Sequence, residues 1–188
     1  MRFLFRLLGL LISFTFVALG CESIKQPKPK AQLRLQYPLP KYSSIPNAYS
    51  FNFEYNDWVQ LKGVNKKAPD LYYPKMKATL YLSYVEIDNN IDSLLNDAYQ
   101  LPVKHMIKAE EIPERVFMAP NERVYGTLFS VVGNAASQLQ FFLTDSTEHF
   151  LMGSLYFYSR PNYDSLMPAA KYVERDVMHL METLRWKY

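Results

Sequence analysis

Along most of this chain apolar and polar positions alternate in short runs, and two longer stretches carry apolar residues at helical spacing. In residues 31–37, Leu33, Leu35 and Tyr37 point one way and Gln32, Arg34 and Gln36 the other. That is the pattern of a half-buried strand, ended by Pro38 and Pro40. Residues 49–56 alternate more strictly. Tyr49, Phe51, Phe53 and Tyr55 share one face, and Ser50, Asn52, Glu54 and Asn56 share the other. Residues 41–48 and 57–67 read as loops, with Trp58 tucked back on the core. A short aromatic strand at 70–73 stops at Pro74. Lys75, Met76 and Lys77 then lead into a strand at 78–86 with Leu80, Leu82 and Tyr84 on one face.

Asp88, Asn89 and Asn90 offer N-cap oxygens to the first helix. There Ile91, Leu94, Leu95, Ala98, Leu101, His105 and Met106 recur at helical spacing, and Pro102 removes one backbone donor, which predicts a kink or a division. Strands are predicted at 111–118, 123–132, 138–144 and 149–159, with turns at Gly133-Asn134-Ala135 and Asp145-Ser146-Thr147-Glu148. Residues 162–165 open a last helix, in which Leu166, Ala169, Ala170, Val173, Val177, Leu180, Met181 and Leu184 form one apolar stripe. This order predicts an α+β domain with a curved, mainly antiparallel sheet and two amphipathic helices. Helices so far apart in sequence can cover one sheet face each, giving an α/β/α sandwich.

The N-terminal stretch has a different logic. Arg2 and Arg6 precede an apolar run ending at Gly20, the pattern of a secretory signal. That run is about 14 residues long where a membrane-spanning helix needs about 20, so it targets the chain and does not anchor it. Ala18-Leu19-Gly20-Cys21 resembles a bacterial lipobox with Ala in the first position, which implies cleavage before Cys21 and acylation of its thiol by a chain such as palmitate. The alternative is a plain signal peptide beside a stray cysteine. Pro27 and Pro29 among lysines make residues 21–30 a lipidated cysteine plus extended tether, reaching up to roughly 28 Å at about 3.1 Å per residue. The organisation predicted is therefore a signal peptide at 1–20, the anchor and tether at 21–30 and a single α+β domain at 31–188. With Cys21 as the only cysteine, no intrachain disulfide is possible.

Charge narrows the functions further. The chain holds 21 Lys and Arg against 18 Asp and Glu, and loss of Arg2 and Arg6 with the signal leaves 19 against 18. No concentrated basic footprint for nucleic acid appears. Asp145-Ser146-Thr147-Glu148-His149 collects an acid, hydroxyls and an imidazole, but these residues also suit a hairpin turn, and triad members usually come from separate segments. Met152-Gly153-Ser154-Leu155-Tyr156 lacks the second glycine of a nucleophile elbow. His105 reads as a core histidine and His179 as a surface one, and the three scattered histidines make no metal site by spacing. Glu110, Glu111 and Glu114 read as a solvated loop, with paired carboxylates as the other reading. The six glycines are isolated, so no phosphate loop is visible. The tyrosines Tyr72, Tyr73, Tyr81 and Tyr84 either pair inside the sheet or form an exposed patch edged by Lys75 and Lys77. Alternation puts Tyr84 with the core and Tyr81 on the opposite face.

Several stretches together resemble one family. They include Leu33-Arg34-Leu35, Phe51-Asn52-Phe53-Glu54-Tyr55 and Tyr73-Pro74-Lys75-Met76-Lys77-Ala78-Thr79-Leu80-Tyr81-Leu82-Ser83-Tyr84. Further on come Gly133-Asn134-Ala135-Ala136, Thr144-Asp145-Ser146, Gly153-Ser154-Leu155-Tyr156-Phe157 and Pro168-Ala169-Ala170-Lys171-Tyr172. Taken in order, they resemble the gliding-motility lipoprotein GldD family of Bacteroidetes over nearly the whole mature chain. The resemblance implies an accessory or assembly component of the gliding machinery and the linked type IX secretion system. Such a component is not an enzyme, has no cofactor beyond the lipid on Cys21, binds other envelope proteins of the machine, and is anchored at the outer membrane facing the periplasm. Many members carry a cysteine pair flanking the Phe51–Tyr55 stretch, which this chain lacks. The strand–helix order is also similar to the Mog1/PsbP type of α/β/α domain. The candidate partner-binding residues are Tyr81, Lys75, Lys77 and Tyr73; the alternative use of the same aromatic face is to bind a small ligand or glycan. Cys21→Ser is expected to abolish acylation and send the domain to the soluble periplasmic fraction or leave uncleaved precursor. Mature, acyl-free mutant that still partitions with membranes would place the anchor elsewhere.

Overall fold

Alternating side chains make strands whose backbone groups must find partners, and here most find them in one antiparallel sheet. The computed structural model describes residues 37–63, 66–104 and 107–188, all within one unit, Gln32–Tyr188. The signal, Cys21, the tether, all of the first predicted strand but Tyr37, and His105 lie outside the described residues. In chain order the elements are β1 (Tyr42–Ser44), β2 (Phe51–Asn52), β3 (Glu54–Asn56), β4 (Gln60–Lys62), β5 (Asp70–Tyr73), β6 (Ala78–Glu86) and α1 (Ile91–Val103). There follow β7 (Ala109–Glu111), β8 (Glu114–Ala119), β9 (Val124–Ser130), β10 (Val132–Gly133), β11 (Ser137–Thr144), β12 (His149–Phe157), α2 (Tyr163–Thr183) and β13 (Arg185–Trp186). The main sheet runs β4-β5-β6-β12-β11-β9-β8, each neighbour antiparallel, and three two-stranded ribbons join β1 to β3, β2 to β13 and β7 to β10.

All eight residues of β11 are buried, so the strand is covered on both faces. Phe142 packs with Phe129, Phe150 and the α1 residues Leu94 and Ala98. Its neighbour Phe141 points the other way, into a larger core where Leu128, Leu143, Leu151 and Leu155 meet Val173, Val177, Leu180 and Met181 of α2. One helix therefore covers each face. The Phe141 ring needs the space above the next strand: a Cβ on its cross-strand partner Gly153 would lie 2.2 Å from Phe141 Cε1. Only glycine permits that approach.

A polar network fastens the N-terminal ribbon to α2. Buried Asp176 accepts from the Tyr42 hydroxyl at 2.9 Å and from Asn56 Nδ2 at 3.2 Å. The Tyr172 hydroxyl accepts from Asn56 Nδ2 at 3.0 Å and Trp58 Nε1 at 3.1 Å and donates to the Pro38 carbonyl at 2.9 Å. Burial pushes the Asp176 carboxyl up, and hydrogen bonds from Tyr42, Asn56 and Tyr73 only partly offset that.

Several predicted boundaries change for identifiable reasons. The stretch 49–56 is two strands, because β2 pairs with β13 while β3 pairs with β1. β1 and β4 replace predicted loops; at three residues each they are too short to show a period. Pro102 does not divide the helix; it sits in the last turn of α1, which ends at Val103. Pro113 separates β7 from β8, and Val131, bonded through its N–H to the Gln138 carbonyl, separates β9 from β10. Trp58 does return to the core, edge-on to Tyr73 with ring centroids 5.5 Å apart. Leu180, 2% exposed, stands in the α2 stripe. Leu180→Ala is expected to cost about 2–5 kcal/mol in denaturant unfolding; a loss of a few tenths would mean that this face of α2 is not the core.

Candidate functional site

α1 spans 13 residues and α2 spans 21, so the two sheet faces are unequally covered. On the α1 side, the end formed by β5, β6 and β12 stays open. Alternation and register bring Tyr72, Thr79, Tyr81, Ser83, Ser154 and Tyr156 onto it, with Tyr81 opposite Ser154, and Thr79 opposite both Tyr72 and Tyr156. Tyr158, just past β12, folds onto the same surface. Its backbone N–H bonds the Lys77 carbonyl at 2.8 Å, and its hydroxyl lies 2.9 Å from both Thr79 Oγ1 and the Tyr81 hydroxyl. The Tyr81 and Tyr156 rings meet edge-on at 5.9 Å, and those of Tyr72 and Tyr158 at 6.3 Å. Lys62 from β4 places its ammonium 3.4 Å from the centre of the Tyr72 ring. Beside these rings, Tyr81, Ser83, Leu101, Met152, Ser154 and Tyr156 line a cleft of about 240 Å³.

The phenols are electrically linked. The hydrogen bond to Tyr158 raises the Tyr81 hydroxyl above the usual phenol range, while bonds to Thr79 and then Tyr81 lower that of Tyr158. Tyr81, Tyr156 and Tyr158 are 39%, 37% and 57% exposed, so rings and hydroxyls are both offered to solvent. Such a surface supplies flat apolar area with hydrogen-bonding rims and little side-chain freedom to lose, which suits recognition of a protein or a sugar.

The structure divides the residues proposed from the sequence. Tyr81 lies on the open face and Tyr84 in the core, as alternation requires. Tyr73 is a correction: it is 2% exposed, shares the core face with Leu71, and hydrogen-bonds Asp176, so it cannot contact a partner. Lys75 is exposed but turns to Trp58, 5.9 Å from the ring centre, on the α2 side of the sheet. Lys77 is exposed at a left-handed position (φ 49°) in the turn before β6. The cation at the tyrosine face is instead Lys62. It was missed with Tyr156 and Tyr158, because cross-strand register, which no local pattern encodes, assembles them.

The acid–hydroxyl–imidazole cluster is a turn. Asp145 Oδ1 accepts the backbone N–H groups of His149, Glu148 and Thr147 at 2.8, 2.9 and 3.0 Å, and Oδ2 accepts the Thr147 hydroxyl at 3.0 Å. The His149 ring lies buried against Trp186, nearly parallel at 5.0 Å, and its Nδ1 shares a 2.6 Å hydrogen bond with Tyr84. His179 is half-buried on α2, stacked on Tyr42 and 2.8 Å from Glu54. Glu110 and Glu111 lie in β7 and Glu114 opens β8, so they stand on strands and not in the expected loop, and all three are exposed. The groove along α2 is larger, at about 620 Å³, but its charges satisfy one another: Lys171 pairs with Glu174 at 2.7 Å and Arg175 lies over Tyr172. Among the described residues no cluster of His, Cys, Asp and Glu is placed to hold a metal ion.

Burial alone would raise the Asp145 carboxyl, but the His149, Thr147 and Glu148 amides and the Thr147 hydroxyl outweigh it and hold the group at about 2. A carboxylate depressed in the fold contributes stability above its unfolded value, near 3.9, and that contribution is lost as pH falls through about 2. Asp145→Asn is therefore expected to lose about 2 kcal/mol at pH 7 and progressively less toward pH 2. Equal losses at pH 7 and pH 2, measured by urea unfolding, would show that the carboxylate charge is not what holds the turn.

Comparison with known proteins bears on what this face is for. The family model described as gliding motility lipoprotein GldD matches residues 22–186. No curated protein and no solved structure matches. No helix among the described residues is long and apolar enough to cross a membrane.

Proposed function

Because the chain belongs to the gliding motility lipoprotein GldD family, a component of the gliding machinery, we propose that it acts there by protein–protein contact and not by catalysis. The exposed tyrosine face is its docking surface. The observation that carries this reading is the cluster of Tyr72, Tyr81, Tyr156 and Tyr158 on a sheet face that α1 leaves open. Buried contacts of a few aromatic anchors usually carry most of an interface's binding energy, and Lys62 at the rim would speed encounter more than it deepens affinity. The role extends to assembling or stabilising the linked type IX secretion system. The domain works without a cofactor, held by lipid on Cys21 at the outer membrane and facing the periplasm. The description of the family as a lipoprotein supports that anchor. The commitment of the Asp145 carboxylate to its own turn supports a non-catalytic role.

A second reading uses the same face for a small ligand or a glycan. It is favoured by the cleft, where Ser83 and Ser154 hydroxyls stand beside the Tyr81 and Tyr156 rings. Sugar rings stack on aromatic faces while their hydroxyls bond such a rim. Broadening of the Tyr81 and Tyr156 ring resonances by muropeptides, with no effect of the mutations below on motility, would favour it.

Tyr81→Ala combined with Tyr156→Ala is expected to leave a folded, lipidated protein while spreading motility and secretion are impaired. Circular dichroism and membrane fractionation establish folding and anchoring. Lys75→Ala, which alters the α2 side, is expected to spread normally. Normal spreading of the double mutant at wild-type protein level would move the docking surface elsewhere.

A further inference from the structure

The two edges of the main sheet differ in a way the tyrosine face does not explain. β4 closes one edge with three residues, Lys62 and the left-handed Gly63. Short length, a lysine and a sharp turn all discourage another chain from pairing there. β8 closes the other edge with six residues in unbroken register with β9, from Glu114 opposite Phe129 to Ala119 opposite Val124. After Arg115 its residues are Val116, Phe117, Met118 and Ala119, with no proline, no bulge and no charge. In antiparallel pairing, alternate residues send their N–H and C=O groups to opposite sides, so half of this backbone points away from β9. No described strand pairs on that side.

The side chains along this edge are apolar. Val116 and Met118 are 67% and 70% exposed, on the α1 side of the sheet. Tyr99 of α1 continues the surface: it is 43% exposed, and its hydroxyl lies 3.5 Å from Oγ1 of Thr127, the residue opposite Val116. At the Glu114 end lies a pocket of about 330 Å³ lined by Tyr99, Val103, Ile112 and the carboxylates of Glu110, Glu111 and Glu114. Those three glutamates are exposed, and none has an ion-pair partner among the described residues.

Outward backbone groups demand an extended segment, since only a strand can bond them in series. Alternating exposed apolar side chains demand apolar residues at every second position of that segment. Carboxylates without an ion pair among the described residues favour a cation there. We propose that β8 accepts an extended segment of a partner protein as an additional antiparallel strand, with apolar side chains against Val116 and Met118 and a lysine or arginine in the glutamate pocket. Antiparallel is the direction of every pairing in this sheet, and it places the partner's C-terminal end beside Glu114.

The probe is a fluorescein-labelled peptide in which valine and threonine alternate and a single lysine stands at the C-terminal end, titrated with the mature lipoprotein in detergent. Saturable binding with slowed amide exchange in β8 is expected. Val116→Lys is expected to weaken it by about tenfold or more, because a charge on an edge opposes pairing. Glu110→Gln with Glu114→Gln, or moving the lysine to the peptide's other end, is expected to weaken it about threefold at low salt and little at high salt. Unchanged binding by Val116→Lys, or β8 amides that exchange as fast with the peptide as without it, would overturn the proposal. So would a dimer, seen in sedimentation, that Val116→Lys dissolves, since the occupant would then be a second copy of this chain. Val116 is exposed, so the variant is expected to fold; if its circular dichroism departs from wild type, Met118→Lys makes the same test.

Discussion

β11 is buried on both of its faces, and the rest of the domain is arranged to satisfy that. Phe141 and Phe142 are adjacent in sequence and belong to different cores. A strand so placed cannot show water either side, so a helix must lie over each. The requirement reaches to the flanking strands: Gly153 gives up its side chain so that Phe141 can lie flat, and Phe150 stacks parallel to Phe142 at 5.7 Å. Removing either helix would expose one aromatic layer while leaving the other intact.

The two covers are of unequal length, and the functional surface follows from that inequality. α2 runs the breadth of its face and brings the ribbons β1–β3 and β2–β13 with it, tied down by Asp176, Tyr172 and the Trp186 indole, which donates to the Arg123 carbonyl. α1 stops at Val103, and at the β5–β6–β12 end of its face it leaves bare a surface of phenol and hydroxyl. An exposed face of leucines would be an aggregation hazard. A face of tyrosines that bond one another through Tyr158 can wait in water.

How much of this could be read beforehand depends on the range of the interaction. Period-two alternation identified the core side of β6, with Leu80, Leu82 and Tyr84 inward and Tyr81 outward, and helical spacing identified the α2 stripe. Those are local rules. Tyr73 was misplaced because it was grouped with its neighbour Tyr72 by residue type, although adjacent strand residues face opposite ways and Tyr73 has a buried carboxylate to bond. Lys75 was misplaced because nearness in sequence to Tyr81 says nothing about which face of the sheet a turn residue leans toward. Tyr156, Tyr158 and Lys62 reach the site through β12 and β4, and their meeting depends on strand order. The turn at Asp145 was legible because Asx chemistry acts over three or four residues.

Strand order has a consequence in time as well as in space. The longest ladder in the domain joins β6 to β12, residue 78 opposite residue 157, and encloses α1 and every strand from β7 to β11 in one loop of chain. Closing so distant a pair costs entropy before its contacts repay it, which makes folding slow compared with a helical protein of this size. The hairpin of β11 and β12 can form early and alone; the β4–β6 meander can too. Neither covers its apolar faces until the ladder between them zips.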